Sequence, residues 1–134
     1  MAATFELEVA TPEKLVIQVA CTEATIPGSD GELGILPGHA PLLSMLTSGT
    51  LRYKTGDGRE EVLAIHGGWV EVQQTLVRVL TDAAENPEAI DQARAEESLK
   101  RAQSRLANIV ENVDIARALN SMKRAEVRTQ VAKK

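Results

Sequence analysis

Along the first two thirds of the chain, apolar and polar residues alternate in short β-branched stretches separated by turn residues, the period of strands with one buried face. The stretches run over Phe5 to Val9, Leu15 to Ile26, Leu33 to Leu36, Leu42 to Leu46, Thr50 to Thr55, Glu61 to His66, Trp69 to Gln73 and Leu76 to Thr81. Between them, Gly56-Asp57-Gly58 offers the positive φ angles of a tight hairpin, and Gly28, Asp30 and Gly31 mark another reversal. Pro27, Pro37 and Pro41 fall at strand ends, where a missing N–H does little harm. Eight or more strands, each with one apolar face, predict an antiparallel β-sandwich or flattened barrel over residues 1–86.

Near Pro87 the period changes. Asn86 as cap, Pro87 at the first helical position and Glu88 in the first turn signal a helix start. Leu99, Ala102, Leu106 and Ile109 then follow at spacings of three, four and three, which puts them on one helical face. Asn108 to Asp114 interrupts the pattern with Asn112 as a second cap, and Ile115, Leu119 and Met122 resume it. Two helices joined by so short a loop run antiparallel, so residues 87–134 read as a two-helix hairpin and the whole chain as an α+β protein in two parts. The second stripe meets Glu126 where an apolar residue is due and continues only through Val127 and Val131, so the hairpin should be held loosely.

Charge separates the same two parts. Residues 1–86 carry 5 basic and 12 acidic side chains, whereas residues 87–134 carry 10 and 7. An acidic first part with only Phe5, Tyr53 and Trp69 as aromatics argues against nucleic acid as a partner. No apolar run reaches the ~20 residues of a membrane helix, so any membrane association is expected through partners. The N-terminus lacks the pattern of a secretory signal, and the chain is expected to stay in the compartment where it is made.

Candidates for chemistry are few. Cys21 sits in the alternation Leu15, Ile17, Val19, Cys21 and reads as a buried small hydrophobe. His66, beside Gly67-Gly68 at a strand end, reads as structural, and His39, in a loop, as a surface contact. With no HExxH, CxxC, P-loop or GxSxG pattern, no catalytic or metal site assembles, and the chain reads as a non-catalytic protein that works by binding others. The arginines are more suggestive. Arg94, Arg101 and Arg105 lie on neighbouring faces of the first helix, and Arg117, Arg124 and Arg128 recur at seven and four on the second. In an antiparallel hairpin turning near residue 110, Arg94 comes close to Arg128, with Arg124 nearby. Such a cluster either holds an anion, which guanidinium groups bind bidentately, or is a solvated face with helix pairs such as Glu97 to Arg101.

The run Gly28-Ser29-Asp30-Gly31-Glu32-Leu33-Gly34-Ile35-Leu36-Pro37-Gly38-His39-Ala40-Pro41-Leu42-Leu43 resembles the signature of the epsilon subunits of F-type ATP synthases. Gly67-Gly68-Trp69-Val70-Glu71-Val72 resembles a second segment of that family, and Ile90-Asp91-Gln92-Ala93-Arg94-Ala95 a third, in the expected order and length. The resemblance implies a ten-stranded sandwich bound to the gamma subunit of the central stalk and resting on the membrane ring of c subunits. Asp30, Gly31, Glu32 and His39 would face the loops of that ring, at the cytoplasmic face of the inner membrane. It also implies a regulatory hairpin that permits turnover when folded and, when extended along gamma to the alpha and beta subunits, blocks ATP hydrolysis. No cofactor is required, but ATP is implied as a regulatory ligand, because some bacterial members of the family bind it in the folded hairpin. Their pattern falls here on Glu85, Ile90, Asp91, Arg94, Ala95, Arg101, Arg124 and Arg128. The competing readings are a free-standing nucleotide-binding protein and a coiled-coil adaptor, the latter requiring sustained apolar heptads that this hairpin lacks.

Overall fold

Eight alternating stretches become eight strands in the structure, a computed structural model that describes residues 3–107 and 115–132. The strands are β1 (Phe5–Ala10), β2 (Leu15–Gly28), β3 (Gly31–Ile35), β4 (Leu42–Leu46), β5 (Gly49–Thr55), β6 (Glu60–Ile65), β7 (Gly68–Val72) and β8 (Leu76–Leu80). A ninth, β9 (Ala84–Glu85), is two residues long and too short to alternate. The long β2 serves both layers: its first half pairs with β1, and its second half pairs with β3 and β5 after the register against β5 shifts between Cys21 and Glu23. Such a bulge bends a strand, which lets one segment turn the corner of a sandwich. The sandwich expected from the alternation is antiparallel in all its ladders but one, since β1 and β8 run parallel. Glu8 lies opposite Arg78 across that pair, and Arg78 Nε donates to Glu8 Oε2 at 3.1 Å, which helps to pin the register.

The inward residues of these strands make one core. Leu7, Val9, Cys21, Ile26, Leu51, Leu63, Ile65, Val70 and Val79 are completely buried in it. Burial pushes the Cys21 thiol up to about 11, so it is an inert hydrophobe as its place in the alternation predicts. Gly68 has a φ of +107°, and a Cβ on it would stand 2.0 Å from the Leu80 carbonyl oxygen. Only glycine fits where β7 begins against β8. In the Gly56-Asp57-Gly58 turn, only Gly58 takes a positive φ.

The helical part departs from the sequence reading in two respects, the start of the first helix and the packed stripe of the second. Asn86-Pro87 opens a 3-10 turn (Pro87–Ala89) with no side-chain cap, and α1 (Gln92–Ala107) starts later, where Asp91 Oδ1 accepts the Arg94 N–H at 3.0 Å. The loop from Asn108 to Asp114 with its expected cap Asn112 lies outside the described residues, and α2 (Ile115–Ala132) follows. The packed stripe of α2 is Ala118, Met122, Ala125 and Thr129, not the stripe through Leu119, which is 46% exposed. On α1 the matching stripe is Ala95, Leu99, Ala102 and Leu106, with both alanines buried and both leucines half-buried. Both stripes are spaced four, three, four, and their alanines let the helix axes approach closely. Glu126 therefore interrupts nothing, because Ala125 holds the position at the seam.

A second face of α2 meets the sandwich. Val127 and Val131 pack on Ala64 of β6, with Val62 and Ile90 half-buried around them.

Candidate functional site

Where β9 ends, the 3-10 turn and the start of α1 fold beside α2, and the three segments enclose a cleft of about 360 Å³. Glu85, Ala89, Ile90, Asp91, Arg94 and Ala95 line it from one side, with Ser98 a turn further on, and Ala125 and Arg128 close it from α2. Six of the eight positions carried over for ATP thus face one space. The other two do not line it. Arg101 lies two turns along α1, roughly 10 Å from Arg94 along the axis. Its guanidinium is engaged with Ser98 Oγ at 3.2 Å and Glu97 at 3.9 Å. Arg124 is half-buried one turn before Arg128, near enough to His66 to act on its charge.

From Glu85 and Arg128 of the cleft, a hydrogen-bonded chain runs on and joins the two parts of the protein. Arg128 Nε donates to Glu85 Oε1 at 2.7 Å, and His66 Nε2 meets the same oxygen at 3.0 Å. On its other side, His66 Nδ1 lies 3.4 Å from Ser48 Oγ. Burial works to raise the Glu85 carboxyl, but the hydrogen bonds from Arg128 and His66 outweigh it and hold the group below the ordinary carboxylate value. His66 is pulled down, first by burial and then by Arg128 and Arg124, against the opposing pull of Glu85. It is therefore neutral at neutral pH, with Nε2–H donating to Glu85 and Nδ1 accepting from the Ser48 hydroxyl.

His66 was legible in the sequence only as a strand-end histidine. Its partners are 18, 19 and 62 residues away, so no local pattern marks it.

The four positions expected to contact a membrane ring divide into two places. Asp30 lies in the turn between β2 and β3, and Gly31, with a φ of +127°, and Glu32 begin β3. Gly31 and Glu32 share a groove with Lys123, Val127 and Gln130 of α2. His39 lies beyond the other end of β3, about 16 Å of strand away, in a loop fastened by the Gly38 N–H to the Gln74 carbonyl.

One further surface has no counterpart in the sequence reading. Met45, Trp69 and Leu80 stand opposite one another across β4, β7 and β8, and Leu80 continues through Ala10 of β1 to Leu15 of β2. The four large residues of this row are each about half exposed. Rows of this kind on one sheet commonly mark a surface that a partner covers.

A sandwich docked to a helical hairpin, with a charged cleft at the seam and apolar surface left open, defines a binding subunit. Residues 4–87 match the family model described as ATP synthase, Delta/Epsilon chain, beta-sandwich domain, and residues 88–133 match its long alpha-helix domain. The chain belongs to this family, as an epsilon-type, non-catalytic subunit of ATP synthase. It is 50% identical over 103 residues to the ATP synthase epsilon chain of Solibacter usitatus, covering 77% of this chain and 76% of that one. It is 51% identical over 106 residues to that of Koribacter versatilis, covering 79% and 74%. In fold it is similar to a chain in the mitochondrial ATP synthase of Euglena gracilis, a structure of OSCP, F1 and c-ring, with a TM-score of 0.85, 24% identity, and 100% and 84% of the two chains covered. A chain of the central stalk and c-ring of Tetrahymena thermophila gives a TM-score of 0.63 at 16% identity, with 98% of each chain covered. No helix among the described residues is long and apolar enough to cross a membrane.

Proposed function

We propose that this chain is a regulatory and coupling subunit of the central stalk, whose hairpin senses ATP in the cleft beneath it. The observation that carries the reading is the cleft itself: Asp91 and Arg94 of the α1 start and Arg128 of α2 line one space with Glu85 of the sandwich. A ligand held by all of them binds only the docked hairpin. The arginines suit a polyphosphate, while the two carboxylates suit the hydroxyl and amino donors of a nucleoside, and the volume lies within the ~300–1,000 Å³ usual for small-molecule sites. Because ATP favours the docked state, at ~100 times its dissociation constant it would stabilise that state by about 2.7 kcal/mol.

In this reading the hairpin blocks ATP hydrolysis when it leaves the sandwich and extends along the gamma subunit to the alpha and beta subunits. The apolar row through Trp69 is the sandwich's seat on gamma. The β2–β3 hairpin at Asp30, Gly31 and Glu32, and the separate His39 loop, face the c-subunit ring at the cytoplasmic side of the membrane, and proton transport is coupled to rotation through that contact. Calorimetric titration of the chain with ATP, beside the Arg94→Ala/Arg128→Ala double variant, tests the sensing. Binding in the parent and its loss in the variant is expected, and equal binding in both would show a solvated arginine face. Trp69, the single tryptophan of the chain, reports the seat: its fluorescence should shift to the blue when purified gamma is added, and an unchanged spectrum in a formed complex would move the seat elsewhere.

A further inference from the structure

His66 does not line the cleft, yet it is tied through a single oxygen to the one arginine of α2 that does. Glu85 Oε1 accepts from both His66 Nε2 and Arg128 Nε. The bond to Glu85 uses only the Nε edge of Arg128, so the guanidinium is held by its stem side while its two terminal nitrogens are the edge offered to an anion. His66 in turn is fixed from behind by Ser48, in the turn between β4 and β5. Ser48, His66, Glu85 and Arg128 thus form a line from the β4–β5 turn to the cleft side of the hairpin.

We propose that His66 is a positioning residue for the cleft that acts on Arg128 through Glu85, so that an anionic ligand on Arg128 and a proton on His66 favour each other. This rests on the reading that the cleft takes ATP. The charged groups facing His66 are Glu85 from β9 and Arg128 and Arg124 from α2, and Asp82 Oδ2 approaches the neighbouring Gly67 from the turn after β8. In the empty cleft the two arginines oppose a proton on His66. Phosphate oxygens on Arg128 offset that field, and the Glu85 carboxylate, shared less strongly with a guanidinium engaged elsewhere, becomes the counter-ion of an imidazolium. The ligand therefore raises the midpoint at which His66 takes up its proton. By linkage, the same proton tightens the ligand, and each pH unit of rise in that midpoint corresponds to about a tenfold gain in affinity between alkaline and acidic limits. A buried histidine that only filled space would show no such coupling.

The chain contains two histidines, so imidazole NMR follows each one through a pH titration. With saturating ATP, the His66 midpoint should rise by about one pH unit. Glu85→Gln should reduce the rise, and His66→Gln should flatten the pH dependence of the ATP dissociation constant relative to the parent, the titration of ATP itself being common to both. ATP-induced changes at Arg94 and Arg128 with an unmoved His66 would overturn this inference and leave the ATP site standing. No ATP-induced change anywhere in the chain would overturn both.

Discussion

The sandwich and the hairpin bury different kinds of residue, and the difference sets how firmly each is held. The core of the sandwich is built mainly of leucines, isoleucines and valines, twelve of them buried and drawn from each of the strands β1 to β8. The hairpin buries alanines at its seam, and among the described residues Val127 and Val131 are its buried hydrophobics that pack on Ala64 of the sandwich. A fully buried leucine or valine side chain stabilises a fold by about 1.5–3 kcal/mol, whereas an alanine methyl contributes about 0.8 kcal/mol. The sandwich is therefore the fixed part, and the hairpin has only a few kcal/mol holding it in place, the range in which a ligand or partner can shift its position.

The largest effect should come from the fixed part. Leu51→Ala, at a position with no exposure, should lower unfolding stability by about 2–5 kcal/mol in a urea titration. The contrast would break if removing residues 87–134 cost more than that, because the hairpin would then be part of the fold. Instead the sandwich alone should keep its β circular dichroism spectrum and cooperative unfolding.

Next in size is a change at the helical seam. Ala125→Leu inserts bulk where the two helices touch and should destabilise the hairpin by about 1–3 kcal/mol, visible as faster hydrogen exchange in α1 and α2 with exchange in the sandwich unchanged. Acid should act in the same place. His66 is held below its ordinary value of 6.5 in the docked state, so docking is fully supported above about pH 6.5 and loses ground as pH falls below it. Glu85, held below its ordinary 4.5, adds a second loss on further acidification. Hydrogen exchange of α2 without ATP should quicken through both windows. Arg128→Ala removes the partly exposed pair with Glu85, should loosen docking by about 1 kcal/mol at neutral pH, and should narrow the first window and shrink the loss across it by relieving His66 of a positive neighbour. The smallest effect is expected from Leu119→Ser, within about 0.5 kcal/mol, because Leu119 lies off the seam. A large loss there would restore the leucine stripe that hydrophobicity alone suggests.

That last contrast shows where the sequence was legible. A period of two with β-branched residues is a strong local signal, and the eight longer strands follow it closely; β9 is too short to show any period. At the hairpin, hydrophobicity points to Leu119, while close packing selects Ala118 and Ala125, whose small side chains carry little hydropathy signal. The helix start was hidden for a similar reason. Asn86-Pro87-Glu88 has the composition of a cap, and it begins one 3-10 turn, but the side-chain cap that begins α1 is Asp91, a residue read only as part of a ligand motif. The arginine pattern brought Arg94 and Arg128 to one cleft through helical geometry alone. The Ser48–His66–Glu85–Arg128 chain needed the tertiary fold, since it joins two turns, a two-residue strand and a helix. Asp30 to Glu32 and His39 lie close in sequence but are set apart by the length of β3.

The most direct test of a docked hairpin that senses ATP is amide hydrogen exchange at Val127 and Val131, buried where α2 packs on Ala64 of the sandwich. If the cleft holds ATP across both parts, saturating nucleotide at ~100 times its dissociation constant should slow exchange at these amides by roughly a hundredfold, with Leu51 and Leu63 in the sandwich unchanged. ATP binding that leaves Val127 and Val131 exchanging at their unliganded rate would contradict the account, because the ligand would then be held by one part of the protein and could not report on the other.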